Sequence, residues 1–218
     1  MSADAWGLLL QAFLETCYMV VISGALSFMM GIPLGVLLYV TRSGRINENK
    51  VAHAIIGSMV NAGRSVPFII LMVAIVPMTR LITGSSIGTT AAIVPLTIAS
   101  IPFMARIAEG ALNEVPLGLV EAAQSMGASS WQIITRILLS EAVPGLINGM
   151  TITLVTLVSY SAMAGAIGGG GLGDLGIRYG YQRFDGVIML ATVVVLIVLV
   201  QLIQMVGDRV QHFYDKSQ

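Results

Sequence analysis

The sequence predicts an all-α membrane protein: a bundle of five transmembrane helices that forms a single domain over residues 1–218. Of its 218 residues, 56% are hydrophobic and only 10% are charged, and the mean hydropathy is +0.88. A soluble domain carries about 25% charged residues, so this chain cannot cover a globule with polar surface. Several uncharged stretches also reach the roughly 20 residues that a helix needs to cross a bilayer. Composition and patterning therefore both indicate an integral membrane protein.

Stretches without Asp, Glu, Lys, Arg or His mark the predicted spans along the chain. They cover 16–41, 81–105, 142–173 and 186–207, and a fifth apolar stretch surrounds Arg64. The stretch 142–173 is longer than one span. Its glycine-rich end has poor helix propensity and is predicted to be a helix end and a loop. The predicted transmembrane helices are 16–40, 54–78, 90–110, 142–165 and 186–207.

Lys and Arg are distributed unevenly between the predicted loops. Five spans put the termini on opposite sides of the membrane, and an outside N-terminus gives seven basic residues inside against three outside. The positive-inside rule favours this orientation, with the C-terminus in the cytoplasm. No basic residue precedes Arg42 and the first apolar run is too long for a signal peptide, so none is expected. The seven inner residues are Arg42, Arg45, Lys50, Arg106, Arg136, Arg209 and Lys216.

Residues 110–141 form the longest segment without membrane-grade hydrophobicity, and they fall on the predicted inner side. Leu117–Met126 has a helical pattern, and Gly127 is suited to end that helix. Ser129 and Gln132 then form a capping-box pattern, which predicts that a second helix begins directly after the turn. We expect a helix, a tight turn and a helix on the cytoplasmic face.

The charged and titratable residues form no familiar catalytic, metal or nucleic-acid site. A helix-turn-helix can bind DNA, but the net charge is zero and Arg136 is the only basic residue between Glu114 and Glu141, whereas phosphate contacts need several cations. Lys50 and Lys216 do not follow a glycine, as a P-loop lysine does, so the sequence shows no P-loop and any ATP hydrolysis must come from another subunit. With one Cys and two distant His residues, we expect no metal, no cofactor and no enzymatic activity.

A run of small residues in the inner loop forms a pattern known from transporters. The letters E-A-A at 121–123, then Gly127, then I-x-L at 137–139, resemble the EAA loop of bacterial ABC importer permeases. In that family the loop is a coupling helix that docks into a cleft of the cytoplasmic ATPase. Here Ser140 stands where the family pattern has proline. The resemblance assigns ATPase coupling to Glu121, Ala122, Ala123 and Gly127.

Further segments extend this resemblance along the chain. Those at 31–42, 64–71, 93–109, 160–173 and 207–210 are similar to the permeases of D-/L-methionine ABC importers. The resemblance implies a homodimer in the bacterial inner membrane, with two cytoplasmic ABC ATPase subunits below it and a methionine-binding lipoprotein outside. An importer of the same architecture for another amino acid or small solute is the nearest alternative. A secondary transporter or channel subunit, which would need no ATPase, is an alternative of a different class.

Four residues are candidates for the translocation path or its gate. Arg64 is the one ionisable residue predicted deep within a span, where such side chains face the bundle interior or a polar path. It could also have a purely structural role, bound to carbonyl groups or to an acidic partner. Met163 precedes the glycine tract and could plug a narrow path or simply pack in the core. Gly169 and Gly170 could flex as the path opens or could merely connect two helices.

Pairs of glycines four residues apart predict close contacts between helices. They occur at Gly31 and Gly35, at Gly145 and Gly149, and in the tract 165–173. These contacts could lie within one chain or between the two subunits of a dimer.

Overall fold

The computed structural model describes residues 3–214, with side chains from residue 5 onward, and this part of the chain is helical without any strand. Lys216, counted above among the inner cations, lies outside the described residues. The helices are α1 (Ala3–Thr41), α2 (Lys50–Ser65), α3 (Phe68–Ala74), α4 (Val76–Thr83), α5 (Thr89–Asn113), α6 (Leu117–Ser125), α7 (Ser130–Gln132), α8 (Leu139–Glu141), α9 (Val143–Gly165), α10 (Gly171–Leu175) and α11 (Gly186–Tyr214). Two π-helical segments, Ile133–Leu138 and Gly176–Tyr181, follow α7 and α10.

Four helices between residues 3 and 214 are long and apolar enough to cross a membrane, namely α1, α5, α9 and α11. The pair formed by α2 and α3 makes a fifth span if the two cross together. The all-α membrane bundle is therefore confirmed, and the predicted number of spans equals the larger of the two counts.

The prediction of one continuous helix over 54–78 is wrong. α2 and α3 are bent by 100° relative to each other. Val66 lies between them in an extended conformation, with φ −84° and ψ 123°. Pro67 explains the break, because proline lacks a backbone N–H and its ring disfavours helical backbone at the preceding residue. A second interruption follows at Ile75, and Pro77 lies in the first turn of α4.

Three of the spans, α1, α5 and α11, are longer than predicted, and α1 differs most. α1 has 39 residues and a length of about 58 Å, well beyond the roughly 30 Å of a hydrocarbon core. Its N-terminal turns are held by packing, since Leu9 and Ala12 are buried in a cluster with Leu172 and Leu175 of α10. The predicted start at residue 16 followed the last charged residue before the apolar run, and tertiary contacts extend the helix past it.

Small residues bring α1 and α9 close to α5, which lies at the centre of the bundle. A side chain at Gly35 would place its Cβ 2.6 Å from the Ala105 carbonyl oxygen, and one at Gly145 would lie 2.9 Å from the Ala111 Cβ. Gly31 likewise faces Met104. The interpretation that these glycine pairs pack within one chain is confirmed.

A polar network fastens α2 to the C-terminal half of α5. The Arg106 guanidinium donates to the Glu109 carboxylate at 2.6 Å, to the Asn61 amide oxygen at 2.9 Å and to the Gly57 carbonyl at 3.2 Å. Glu109 is buried, and removing one partner of a buried ion pair leaves an uncompensated charge. The network therefore fixes the position of α2 and, with it, the start of the bent segment.

Candidate functional site

The helix-turn-helix predicted in the inner loop is present. α6 ends in a turn at Gly127, whose φ of +78° is unfavourable for any residue with a Cβ. The Gly127 N–H donates to the Gln124 carbonyl at 2.9 Å, and the Ala128 N–H donates to the Ala123 carbonyl at 3.0 Å. These two bonds satisfy carbonyl groups that the helix end would otherwise leave unpaired.

The capping box after the turn is also confirmed. The Ser129 hydroxyl accepts from the Gln132 backbone N–H at 3.3 Å, and the Gln132 side chain accepts from the Ser129 N–H at 2.9 Å. The second helix is longer than its α7 portion, because the chain continues through the π-helical segment into α8. Ser140 lies in α8, and Pro144 occupies the first turn of α9 after a break at Ala142.

α6 has one face that is anchored in the bundle and one that is free. Val120 and Ala123 are buried in a cluster that also contains Tyr39 of α1, Leu112 of α5 and Leu146 of α9. The opposite face presents the exposed residues Glu121 and Ala122. Large apolar side chains surround these two residues outside any predicted span. The exposed ones are Leu117, Leu119, Met126 and Trp131.

The turn of this loop touches the loop between α1 and α2. The Ser130 hydroxyl donates to the Asn47 side chain at 3.2 Å. Nearby, the guanidinium of Arg45 donates to Asn113 at 2.9 Å and lies over the Tyr39 ring. Both loops therefore lie at one end of the bundle.

The pKa of Glu48, in the loop between α1 and α2, is lowered, chiefly because its carboxylate accepts a hydrogen bond from the Gly44 N–H.

The path candidates lie at separate places. Arg64 is in the last turn of α2, with an exposed side chain that has no hydrogen-bond or ion-pair partner within residues 3–214. Met163 is 47% exposed on α9 and lines a groove of about 680 Å³ between α9 and α11. Gly169 and Gly170 belong to the segment between α9 and α10, which lies close to α4 and the start of α5.

α1 holds the glycine tract through contacts that sequence reasoning missed. The Glu15 carboxylate accepts from the Gly171 N–H at 2.8 Å, and the Thr16 hydroxyl accepts from the Leu172 N–H at 2.9 Å. A Cβ on Gly170 would lie 2.8 Å from the Glu15 carboxylate, and one on Gly169 would lie 2.8 Å from the Ala164 carbonyl. The tract therefore packs tightly in this conformation, and any movement of it must break these contacts.

A comparison with families of known proteins identifies the chain. The family model for inner membrane components of binding-protein-dependent transport systems matches residues 31–218. The chain belongs to this family. It is therefore a multi-pass inner-membrane protein, and the E-A-A pattern with Gly127 fits the family.

Two related proteins and one solved structure show which members of the family this chain resembles. The chain is 62% identical over 209 residues to the probable D-methionine transport system permease protein MetI of Vibrio cholerae serotype O1, covering 94% of this chain and 93% of that protein. It is 47% identical over 215 residues to the corresponding protein of Pasteurella multocida, covering 99% of both. Among solved structures, a chain from inward-facing conformations of the MetNI methionine ABC transporter matches with a TM-score of 0.98 at 50% identity. That match covers 99% of this chain and 100% of the other.

Proposed function

We propose that this chain is the permease subunit of an ATP-driven ABC importer for methionine. The observation that carries the proposal is the combination of 62% identity to a D-methionine permease with a TM-score of 0.98 to a chain of a methionine ABC transporter. Two copies form the translocation path, two cytoplasmic ATPase subunits drive it, and an extracytoplasmic methionine-binding lipoprotein delivers the substrate. The chain itself is a transport subunit and not an enzyme.

The N-terminus lies outside and the C-terminus in the cytoplasm. Two observations support this orientation: seven of the eleven basic residues lie in the predicted inner segments, and the loops 42–49 and 114–142 meet at one end of the bundle. An ATPase that docks on α6 must lie at the same end. The charge bias and the docking face therefore point to the same side of the membrane.

The structure suggests how ATPase movement reaches the transmembrane helices. Glu121 and Ala122 face outward for docking, while Ala123, one residue on, is buried among side chains of α1, α5 and α9. Because packed interiors move as rigid units, a displacement of α6 would be passed through this buried cluster to the transmembrane helices. Gly127 fixes the angle between α6 and the helix after it. These four residues form the coupling element of the proposal.

The path lies between two copies of the chain, with Arg64, Met163, Gly169 and Gly170 as lining or gate candidates. The exposed positions of Arg64 and Met163 support this assignment, because neither side chain is enclosed within its own chain. The similar MetNI chain comes from inward-facing conformations, and we propose the same resting state for the dimer formed by this chain. ATP binding would then switch the dimer to the outward-open packing.

Reconstitution tests the proposal directly. The chain is co-expressed with its candidate ATPase and binding protein, and uptake of radiolabelled L-methionine into proteoliposomes is measured with and without ATP and with competing amino acids. ATP-dependent uptake that only methionine and close analogues inhibit is the expected result. Stronger inhibition by an unrelated amino acid would favour the alternative substrate, and uptake without ATP would favour a secondary transporter.

A further inference from the structure

An unexpected row of polar residues runs along one face of α11. Gln201, Gln204 and Asp208 are spaced three and four residues apart, so they lie on the same side of the helix, and all three are exposed. α11 is otherwise the most apolar of the spans, with a mean hydropathy of 2.9 in its membrane window. Polar side chains at membrane depth face protein or water and not lipid. This face of α11 therefore borders something other than lipid.

The polar row faces a matching set on α9. Together the two helices form a groove of about 610 Å³, which we call the polar groove. α9 and α11 pack tightly beside it, since a Cβ on Gly207 would collide with Thr151, which lines the groove. The polar residues that line the groove are Asn148, Thr151, Thr156, Gln201, Gln204 and Asp208.

The hydrogen-bonding capacity of the polar groove is largely unused. The Thr151 and Thr156 hydroxyls donate to carbonyls of their own helix, which leaves their oxygens free to accept. The side chains of Asn148, Gln201 and Gln204 have no hydrogen-bond partner in the described part of the chain. Each amide offers both donors and an acceptor, so the groove can bind a carboxylate and an ammonium group together.

A second groove of about 680 Å³ continues the first toward the outer half of the bundle, and Gln201 lines both. We call it the apolar groove, because its other main lining residues are Ile69, Ala162, Met163, Ile197 and Val200. Gln201 lies near the middle of α11, with 15 residues of the helix before it and 13 after it. The path along this face thus changes from apolar to polar at about mid-membrane.

We propose that the two grooves form one binding station for a zwitterionic amino acid with an apolar side chain. The inference rests on the proposed function and deepens it. The charged ammonium and carboxylate bind the amides around Gln201 and Gln204, while the side chain lies in the apolar groove against Met163. Among the described residues that line the two grooves, Asp208 at the inner rim is the only charged one, and its negative charge disfavours an anionic ligand.

Site-directed labelling of the assembled permease–ATPase complex tests the station. In a Cys17→Ser background, Gln204→Cys is treated with a charged methanethiosulfonate reagent from the ATPase side, without nucleotide. We expect modification, because a hydrated thiol can ionise, and millimolar L-methionine should slow it at least about fivefold while L-glutamate does not. Leu202→Cys is the matched control, since Leu202 is exposed on α11 but lines neither groove, and it should resist the reagent.

Transport kinetics provide the second measurement. Gln201→Leu should lower kcat/KM for methionine uptake about tenfold, which is the equivalent of one lost hydrogen bond to a charged group. Gln201→Asn keeps an amide at this position and should show a smaller decrease in kcat/KM. Leu202→Ala should behave as the unsubstituted protein. If Gln201→Leu does not assemble with the ATPase, the labelling result decides alone.

Each contrary outcome has a defined meaning. Failure of the unsubstituted complex to take up methionine would overturn the proposed function. Normal uptake by Gln201→Leu, or labelling of Gln204→Cys that methionine does not slow, would overturn only the binding station. Inaccessibility of Gln204→Cys in the complex would show that this face is covered by the second subunit, and would also overturn it.

Discussion

Gly127 offers the sharpest test of the coupling element, because its substitution isolates a backbone effect. A Cβ built at Gly127 meets no atom within 4 Å, so a side chain fits there without collision. The cost comes only from the φ of +78°, which a β-branched residue adopts at an expense of about 1–3 kcal/mol. Gly127→Val therefore strains or reshapes the turn between α6 and α7 without disturbing the core.

The expected result is graded across substitutions. A penalty of 1–3 kcal/mol corresponds to a reduction of about five- to 150-fold in the ratio of correctly to incorrectly shaped turns. We expect ATP-dependent methionine uptake to fall several-fold in Gly127→Val while the protein still inserts into the membrane. Gly127→Asn should lose less, because asparagine tolerates positive φ. Gly84→Val is the matched control, since Gly84 ends α4 with a φ of +77° and a Cβ there also meets nothing within 4 Å.

Uptake into proteoliposomes and co-purification of the ATPase are measured side by side. Loss of uptake with retained insertion supports a coupling role, whether or not the ATPase remains bound. If Gly127→Val and Glu121→Lys both leave uptake and ATPase association unchanged, the assignment of coupling to this loop is refuted.

Three further predictions concern topology, the departure from the family motif and the glycine tract. In a Cys17→Ser background, Ser129→Cys should resist an impermeant thiol reagent applied from outside, whereas Ser85→Cys should react. Labelling of Ser129→Cys from outside would contradict the proposed orientation. Ser140→Pro should preserve insertion, measured by membrane fractionation, because the chain already breaks two residues later; complete loss of insertion would show that the break before α9 cannot shift. Glu15→Ala removes the carboxylate that accepts from the Gly171 N–H and adds no atom. It should raise the basal ATPase activity of the complex if the tract moves during transport. Lower thermal stability with unchanged basal activity would indicate that the tract is a fixed connector.

Local chemistry explains which parts of the fold the sequence could predict. The turn at Gly127 and the capping box at Ser129 and Gln132 depend on residues within a few positions of each other, and both are present. The break before Pro67 was also within reach, because an X-Pro pair disfavours a continuous helix. The sequence interpretation instead gave priority to apolar length. Length indicates whether a segment can cross a membrane, but not whether it does so as one straight helix.

Contacts between distant segments account for what was missed. The hydrogen bond from Gly171 to Glu15 joins residues 156 positions apart, and no local pattern predicts it. The polar row on α11 escaped notice for another reason. The predicted spans were defined by the absence of charged residues. Glutamine is uncharged, so Gln201 and Gln204 did not stand out within the apolar span 186–207.

The glycine tract shows that a glycine-rich sequence is not necessarily flexible in the folded protein. Glycine has broad φ/ψ freedom, which suggested a hinge, yet the same lack of a side chain lets α1 approach until Glu15 bonds the backbone of Gly171 directly. A segment held by a carboxylate on one side and by the Ala164 carbonyl on the other does not drift between many conformations. If it moves during transport, it must do so between two defined packings, each with its own acceptors. Because α1 supplies the present acceptors, such a switch must release Glu15 and Thr16, as a displacement of α1 relative to α10 would do. α6 shares a buried cluster with Tyr39 near the other end of α1, so the two ends of one helix would connect the ATPase to the tract.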